Sequence, residues 1–466
     1  MKFNSYIFAA LAAIIACCFW LLVDNTYDSG DSITHYAISR YSWKHPYLLV
    51  DNWGKPVFTI LSSPFTQLGW KGMTFFNSLV GVVTCCLVAQ IIAKLNWKIS
   101  PYTALLLFFI PNYPLALNSG LTEPLYALIL VCSVYFFLSD QYKWSAIVIS
   151  FLPFVRSEGF ISITVLGFIF LFAKKWKEVP YFFVGFVVIS VLGFCLHYDS
   201  LLWTFNTNPY TINTGFNNYG SGNWDDFFIK YFYMTGIPFT ILFWASCIVM
   251  LVVLIRKMNR KFSETVLSIE SVYLLLFFSF FFAHVVFWKF GLYHSFGMSR
   301  VLISILPIGF LIVVYLFNMI YTSWNNKIVI SVLCLIIIIF PFVGNKSSWS
   351  IPKDFVEDPE MVEMKKIKSE YEIYPEQVDK VYYSSIPLMI LLDYDIFGTN
   401  KFVGISQLKD SIPANEKILV IRDDWFLNID CNIKSDDAIF SKLKKVYSKK
   451  VSDNNTIEIY TNELSE

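Results

Sequence analysis

Charge is what this chain has least of. Asp, Glu, Lys and Arg make up 15% of its 466 residues, against roughly 25% in an average soluble protein. Residues 344–466 hold 38 of the 71 charges, leaving 33 for the first 343 residues, too few to clothe a water-soluble globule. No basic stripe exists outside short loops, and the net charge is +1, which excludes nucleic acid as a partner. Eight of the nine cysteines lie in apolar runs, and there is no Cys-x-x-Cys or His-Glu-x-x-His spacing. A disulfide framework and a short-spaced metal site are both excluded on that count. Internal repeats and low-complexity tracts are also missing, so a solenoid is not expected.

What the chain does have is long apolar stretches. Hydrophobic residues are 56% of the total and include 46 Phe. Runs long enough to cross a bilayer fall near 5–23, 73–93, 101–117, 121–138, 145–173, 179–197, 236–255, 265–288, 299–320 and 327–343. The first resembles a signal peptide but lacks a small-x-small cleavage site and precedes many other spans, so an uncleaved helix is expected. Lys and Arg in short loops mark the cytoplasmic side. Lys94 and Lys98, Lys143, the 174–177 cluster, the 256–261 cluster and Lys327 share one side only if 145–173 enters the membrane and turns back as a hairpin.

The expected fold is therefore an all-α polytopic membrane protein of about eleven segments with its N-terminus in the cytoplasm. The division is a membrane unit, 1–343, with outer loops 24–72 and 198–235, followed by an extracytoplasmic soluble α/β domain, 344–466. Stretches 33–43 and 57–68 of the first loop read as helices lying at the interface. In the tail, 380–384, 401–405, 417–422 and 456–461 have β character, and the charge density predicts a part that folds by itself.

Few residues in such a chain are suited to chemistry. Asp31 opens the segment Gly30-Asp31-Ser-Ile-Thr-His35-Tyr36-Ala-Ile just beyond the first helix. A carboxylate at the membrane surface suits a general base, although a loop Asp is also ordinary solvation. Arg156 and Glu158 interrupt an apolar run, where charges face a cavity or each other. Arg300 stands at a helix end, where it either snorkels to headgroups or neutralises a phosphate. Glu123 either caps a helix or touches substrate. His284 is either a satisfied buried imidazole or a substrate contact. Tyr210 and Tyr219 belong either to an interfacial belt or to a sugar-stacking surface.

The ordered set resembles a family. A cytoplasmic N-terminus, one helix, an outer loop with Gly30-Asp31 and His35-Tyr36-x-Ile, then Asp51-Asn-Trp-Gly-Lys55-Pro, many spans and an outer tail look like the GT-C glycosyltransferases. Asn118-Ser-Gly-Leu-Thr122-Glu123-Pro124-Leu is similar to the Thr-Glu-Pro/Ser-Leu segment of the second mannosyltransferase of GPI-anchor synthesis and its bacterial relatives. Phe154-Val-Arg156-Ser157-Glu158-Gly159 is similar to their Arg-Pro-Glu-Gly turn, with Ser157 replacing Pro. His284 with Trp288, then Met298-Ser-Arg300-Val301-Leu, resembles their Arg-Tyr-Leu-x-Pro entry, with Val301 replacing Tyr.

The resemblance implies an inverting, metal-independent transfer of one sugar, with mannose suggested, from a polyprenyl-phosphate donor. The donor is a substrate, and no cofactor is implied. The acceptor is a glycan, glycolipid or protein at the extracytoplasmic face of a multi-pass protein, expected in the bacterial inner membrane with its active site and tail on the periplasmic side. Asp31 is the implied base. Arg300, Arg156 and Lys55 are the implied phosphate ligands, and His35, Tyr36, Asp51, Glu123, Glu158, Tyr210, Tyr219 and His284 the substrate contacts. From other classes, a lipid-linked oligosaccharide flippase would use Arg156, Glu158, Glu270 and His284 as an intramembrane polar path, and a non-catalytic assembly protein would use the tail to bind a partner.

Overall fold

The computed structural model describes residues 3–28, 30–207, 220–258, 262–343, 356–357, 359–370, 377–392, 394–408 and 416–462. Tyr210 and Tyr219 lie outside the described residues, as does the expected boundary at 343/344.

Helix α1 (Ser5–Leu22) starts where the Asn4 side chain accepts the amides of Tyr6 and Ile7. The stretches 33–43 and 57–68, expected to be helical, fold largely within α2 (Asp31–Tyr41) and α3 (Pro56–Thr66). Next come α4 (Trp70–Lys94), α5 (Glu123–Leu138), α6 (Tyr142–Ile149), α7 (Gly159–Phe172), α8 (Val184–Leu196), α9 (Asp226–Thr235), α10 (Ile237–Met258), α11 (Ile269–Phe290), α12 (Leu306–Trp324) and α13 (Lys327–Val343).

Among the described residues, six helical stretches are long and apolar enough to cross a bilayer, and Glu123–Leu138, Gly159–Phe172 and Lys327–Val343 are shorter apolar helices. Their outward faces are apolar too. On α10, Ile241, Ile248 and Ile255 recur every seven residues and are all exposed, a face that suits lipid and not water. The stretch Ser299–Trp324 is the most enclosed of the six.

Two expectations are refined. Run 101–117 is not one continuous α-helix: it is a 3-10 stretch, Pro101–Phe109, and then a short helix, Asn112–Leu117. Pro111 and Pro114 each remove an amide that a continuous helix would need, while Pro101 only opens the 3-10 stretch. Run 145–173 is two short helices, α6 and α7, separated by a turn through Arg156, Ser157 and Glu158. Within that break Arg156 and Glu158 pair at 2.8 Å.

The tail holds a five-stranded sheet in the order β2-β1-β3-β5-β4. Strands β1 (Lys380–Tyr383), β2 (Phe402–Gly404) and β3 (Ile418–Asp423) run parallel. Helix α14 (Asp424–Ile429) follows β3 directly, then β4 (Lys444–Ser452) and β5 (Asn455–Thr461) add antiparallel pairs. The tail is clasped to the segment between α2 and α3. Asp395 takes the Lys44 ammonium at 2.6 Å and His45 Nε2 at 2.9 Å, and Tyr47 donates to the carbonyl of Phe397 at 3.0 Å. Met361 and Ile390 of the tail join the same buried apolar cluster as the helical bundle.

Candidate active site

The first turn of α2 is built around Asp28. Its Oδ1 accepts the amides of Gly30 and Asp31 at 2.9 and 2.8 Å, a carboxylate placed at the positive end of a helix. Ser32 Oγ accepts the Gly120 amide at 2.6 Å, so α2 is tied to the loop that leads into α5. Gly120 has no room for a side chain there, because a Cβ would run into the Ser32 carbonyl. This close approach brings Asp31 and Glu123 into one neighbourhood.

Arg300, from the 3-10 turn Ser299–Ile305 that leads into α12, reaches the same place. Its Nη2 pairs with Asp31 and lies 3.3 Å from Asp28 Oδ2, while Nη1 lies 3.7 Å from Glu123 Oε1. Glu123 Oε1 is also 2.7 Å from Arg156 Nη1. Arg156 donates in turn to Thr122 Oγ1 at 3.2 Å and to Glu158 Oε1 at 2.8 Å, with His284 Nε2 3.8 Å beyond. The outcome is one ionic chain, Asp31–Arg300–Glu123–Arg156–Glu158–His284, drawn from five separate parts of the sequence.

Glu123 is 0% exposed. It therefore offers no surface to a substrate in this arrangement, contrary to the contact expected of it, and instead holds two guanidiniums side by side. The Asp31 side chain, by contrast, is 37% exposed and open to a reactant. Burial alone would raise its carboxyl; Arg300 beside it outweighs burial and holds it below the usual carboxylate value. His35, one turn along α2, is buried, and desolvation pushes it down to about 3, so it is neutral throughout the physiological range.

Lys55 approaches from the other side, 3.3 Å from Ser157 Oγ. Its backbone is left-handed, with φ +63°, a conformation that costs a non-glycine residue roughly 1–2 kcal/mol. Asp51 Oδ1, accepting the Gly54 amide at 2.6 Å, fixes the turn that imposes it. Asp51 thus shapes the Lys55 turn, and its carboxyl is raised by burial. Desolvation draws the Lys55 ammonium down to about 8. A cleft of about 490 Å³, counting its open mouth, runs from Lys55, Ser157 and Asn52 along a wall of Phe154, Phe160, Phe186 and Phe205. Phe186 packs these rings together, with centroids 5.0 Å from Phe154, 5.5 Å from Phe160 and 5.7 Å from Phe205. A cationic end joined to an aromatic trough matches an amphiphile with an anionic head.

Tyr36 is placed elsewhere: it packs edge-on against Trp70, with centroids 5.5 Å apart. Glu270 is engaged by Lys257 at 2.7 Å and by Tyr315 at 2.9 Å, and no ion pair links it to the chain from Arg156 to His284. The continuous polar path of a transporter is therefore not assembled among the described residues. Sequence reasoning missed Asp28 and Ser157 as parts of the site. The doubled acid Asp28/Asp31 flanking a glycine was the available signal for Asp28.

No protein-family model matches the sequence, and no curated protein matches it. Solved structures do match. ArnT from Cupriavidus metallidurans bound to undecaprenyl phosphate superposes with a TM-score of 0.57 at 11% identity, over 99% of this chain and 98% of that one. The same protein in the apo state gives 0.61 at 12% identity, over 98% and 97%. Both matches run through the helical bundle and the tail. The likeness is one of fold, and the chain has the GT-C fold, a polytopic helical membrane protein closed by a C-terminal sheet.

Proposed function

We propose that this protein is an inverting glycosyltransferase that moves a single sugar from a polyprenyl-phosphate donor to an acceptor at the extracytoplasmic face. The observation that carries the reading is the pairing of a half-open carboxylate, Asp31, with a guanidinium, Arg300, that is backed by a second one through Glu123. The Lys55 cleft and its phenylalanine wall supply a seat for a phosphate head and an isoprenoid chain. The fold shared with ArnT, which has been solved with undecaprenyl phosphate, supports the same donor class.

The donor phosphate competes with Asp31 for Arg300. Binding of the lipid loosens the ion pair, and the Asp31 carboxyl rises towards its ordinary value. Asp31 then takes the acceptor's hydroxyl proton as that oxygen attacks the anomeric carbon. The new C–O bond forms as the bond to the phosphate oxygen breaks, and the electron pair leaves with the lipid phosphate, neutralised by Arg300, Arg156 and Lys55. The base is thus weak until its substrate arrives. Mannose is the sugar suggested by the motif resemblance, and glycan, glycolipid and protein remain the acceptor classes. The site and tail belong on the outer, periplasmic face of a bacterial inner membrane, and the tail from 344 onward is a distinct α/β part.

Mass spectrometry of lipid-linked and surface glycans, with and without the protein, tests the activity: one glycan should lose one hexose when the protein is missing. An unchanged glycan profile counts against transfer. The phosphate seat has its own test. Lys55 is charged below about pH 8 and neutral above it, so undecaprenyl-phosphate affinity in nanodiscs should fall between pH 7 and pH 9. Lys55→Arg, charged at every accessible pH, should flatten that dependence. A fall of the same size in Lys55→Arg removes Lys55 from the seat.

A further inference from the structure

The parallel part of the tail sheet has β1 between β2 and β3, so the chain leaves β1 towards one neighbour and later returns beside it on the other. Beyond the carboxyl ends of strands at such a reversal, α/β sheets have the crevice in which they bind ligands. Here that end is stitched together. Asp423, closing β3, accepts from Ser384 Oγ at 2.8 Å and takes the Phe426 amide at 2.9 Å, starting α14. The Trp425 amide donates to Asn455 Oδ1 at 3.2 Å, and Asp424 Oδ2 accepts the Thr456 amide at 3.1 Å.

The stitched tip packs on the start of α2 and on the segment before Arg300. The Phe426 ring lies against Gly30, where a Cβ would sit 3.2 Å from Cζ, and the next residue is Asp31. Trp425 stands edge-on to Phe296, centroids 6.3 Å apart, and Phe296 is four residues before Arg300. Trp425 and Phe296 are each 37% exposed, an aromatic surface open to solvent next to the segments that carry Asp31 and Arg300, and the Asp31 side chain is itself 37% exposed.

Resting on the glycosyl-transfer reading, the geometry points to α14 as the acceptor's binding platform: Trp425, flanked by Phe296, stacks against the C–H face of the acceptor's sugar ring and presents its hydroxyl to Asp31. A rigid aromatic face complements the apolar face of a pyranose, and the neighbouring carboxylate complements its hydroxyl edge. The acceptor class is therefore carbohydrate-bearing. The tail acts as part of the site that selects it, and Trp425 contributes to acceptor recognition and not to the bond-breaking step.

The test uses the full-length protein in nanodiscs, donor lipids from wild-type membranes, and as acceptor the glycan and glycolipid fraction from cells lacking the protein. Trp425→Ala should raise the half-saturating amount of that fraction roughly tenfold while changing the maximal rate less than about twofold. Trp425→Phe should recover most of the loss, and undecaprenyl-phosphate affinity should be unchanged in both. Unchanged half-saturation, or a lower maximal rate at unchanged half-saturation, overturns the proposal and leaves α14 as scaffold. If Trp425→Ala does not fold, Phe296→Ala is read the same way. Wild-type protein that binds no undecaprenyl phosphate would instead defeat the donor reading, a separate result.

Discussion

Asp31→Asn should lower transfer by about 10²–10⁴-fold, the span of a lost general base, while undecaprenyl-phosphate binding stays level or tightens. The second half follows from the ion pair. Asp31 occupies Arg300 in the resting arrangement, so an uncharged amide leaves the guanidinium freer for a phosphate. A residue that merely stabilised the loop would lose binding and turnover together. Asp28→Asn is not a neutral control, because Asp28 both accepts the Asp31 amide and lies 3.3 Å from Arg300. Asp51 is the rival to watch, since burial raises its carboxyl and a raised carboxylate is the stronger base. Full turnover in Asp31→Asn with loss in Asp51→Asn would transfer the role to Asp51, and full turnover in both would abandon the base mechanism.

Glu123→Ala is expected to be the most damaging change to stability. Its carboxylate is sealed between Arg156 and Arg300, and removing one partner of a buried ion pair costs about 3–5 kcal/mol. Thermal unfolding in detergent should show a large downward shift. Glu123→Gln, which keeps the shape and an acceptor oxygen, should lose less stability but still lower transfer, because two like-charged guanidiniums then face each other. Wild-type melting of Glu123→Ala would mean that Arg156 and Arg300 are held by Glu158, Asp28 and Asp31 alone.

Much of this was legible because charge is so rare in the first 343 residues. Arg156, Glu158 and Arg300 stood out as ions in apolar surroundings, and the structure brings all three into one chain. Their connection was not legible: Glu123 reads as a helix-starting acid, and only the packing of α2 against the loop before α5 makes it a bridge. The strands β1, β2, β3 and β5 follow their β-type patterns. Strand β4 escaped notice because it is a Lys-rich, largely exposed edge, Lys-Lys-Val-Tyr-Ser-Lys-Lys, whose composition resembles a loop. Run 101–117 misled for the opposite reason, since hydropathy registers its length while its prolines decide its backbone.

The pair Asp31–Arg300 joins positions 269 residues apart, and this has a consequence for biogenesis. At about 5–20 residues per second, the ribosome needs roughly 13–54 s to travel from one to the other. Through that interval α1 and the segment after it already exist, with the acid made and its cation still unmade. A nascent chain arrested anywhere before residue 300 carries the acid without its guanidinium partner, and Phe426 meets Gly30 only after almost the whole chain has been synthesised. On the proposed reaction, chemical competence is thereby tied to completed translation, and partial products would be inert towards lipid carriers.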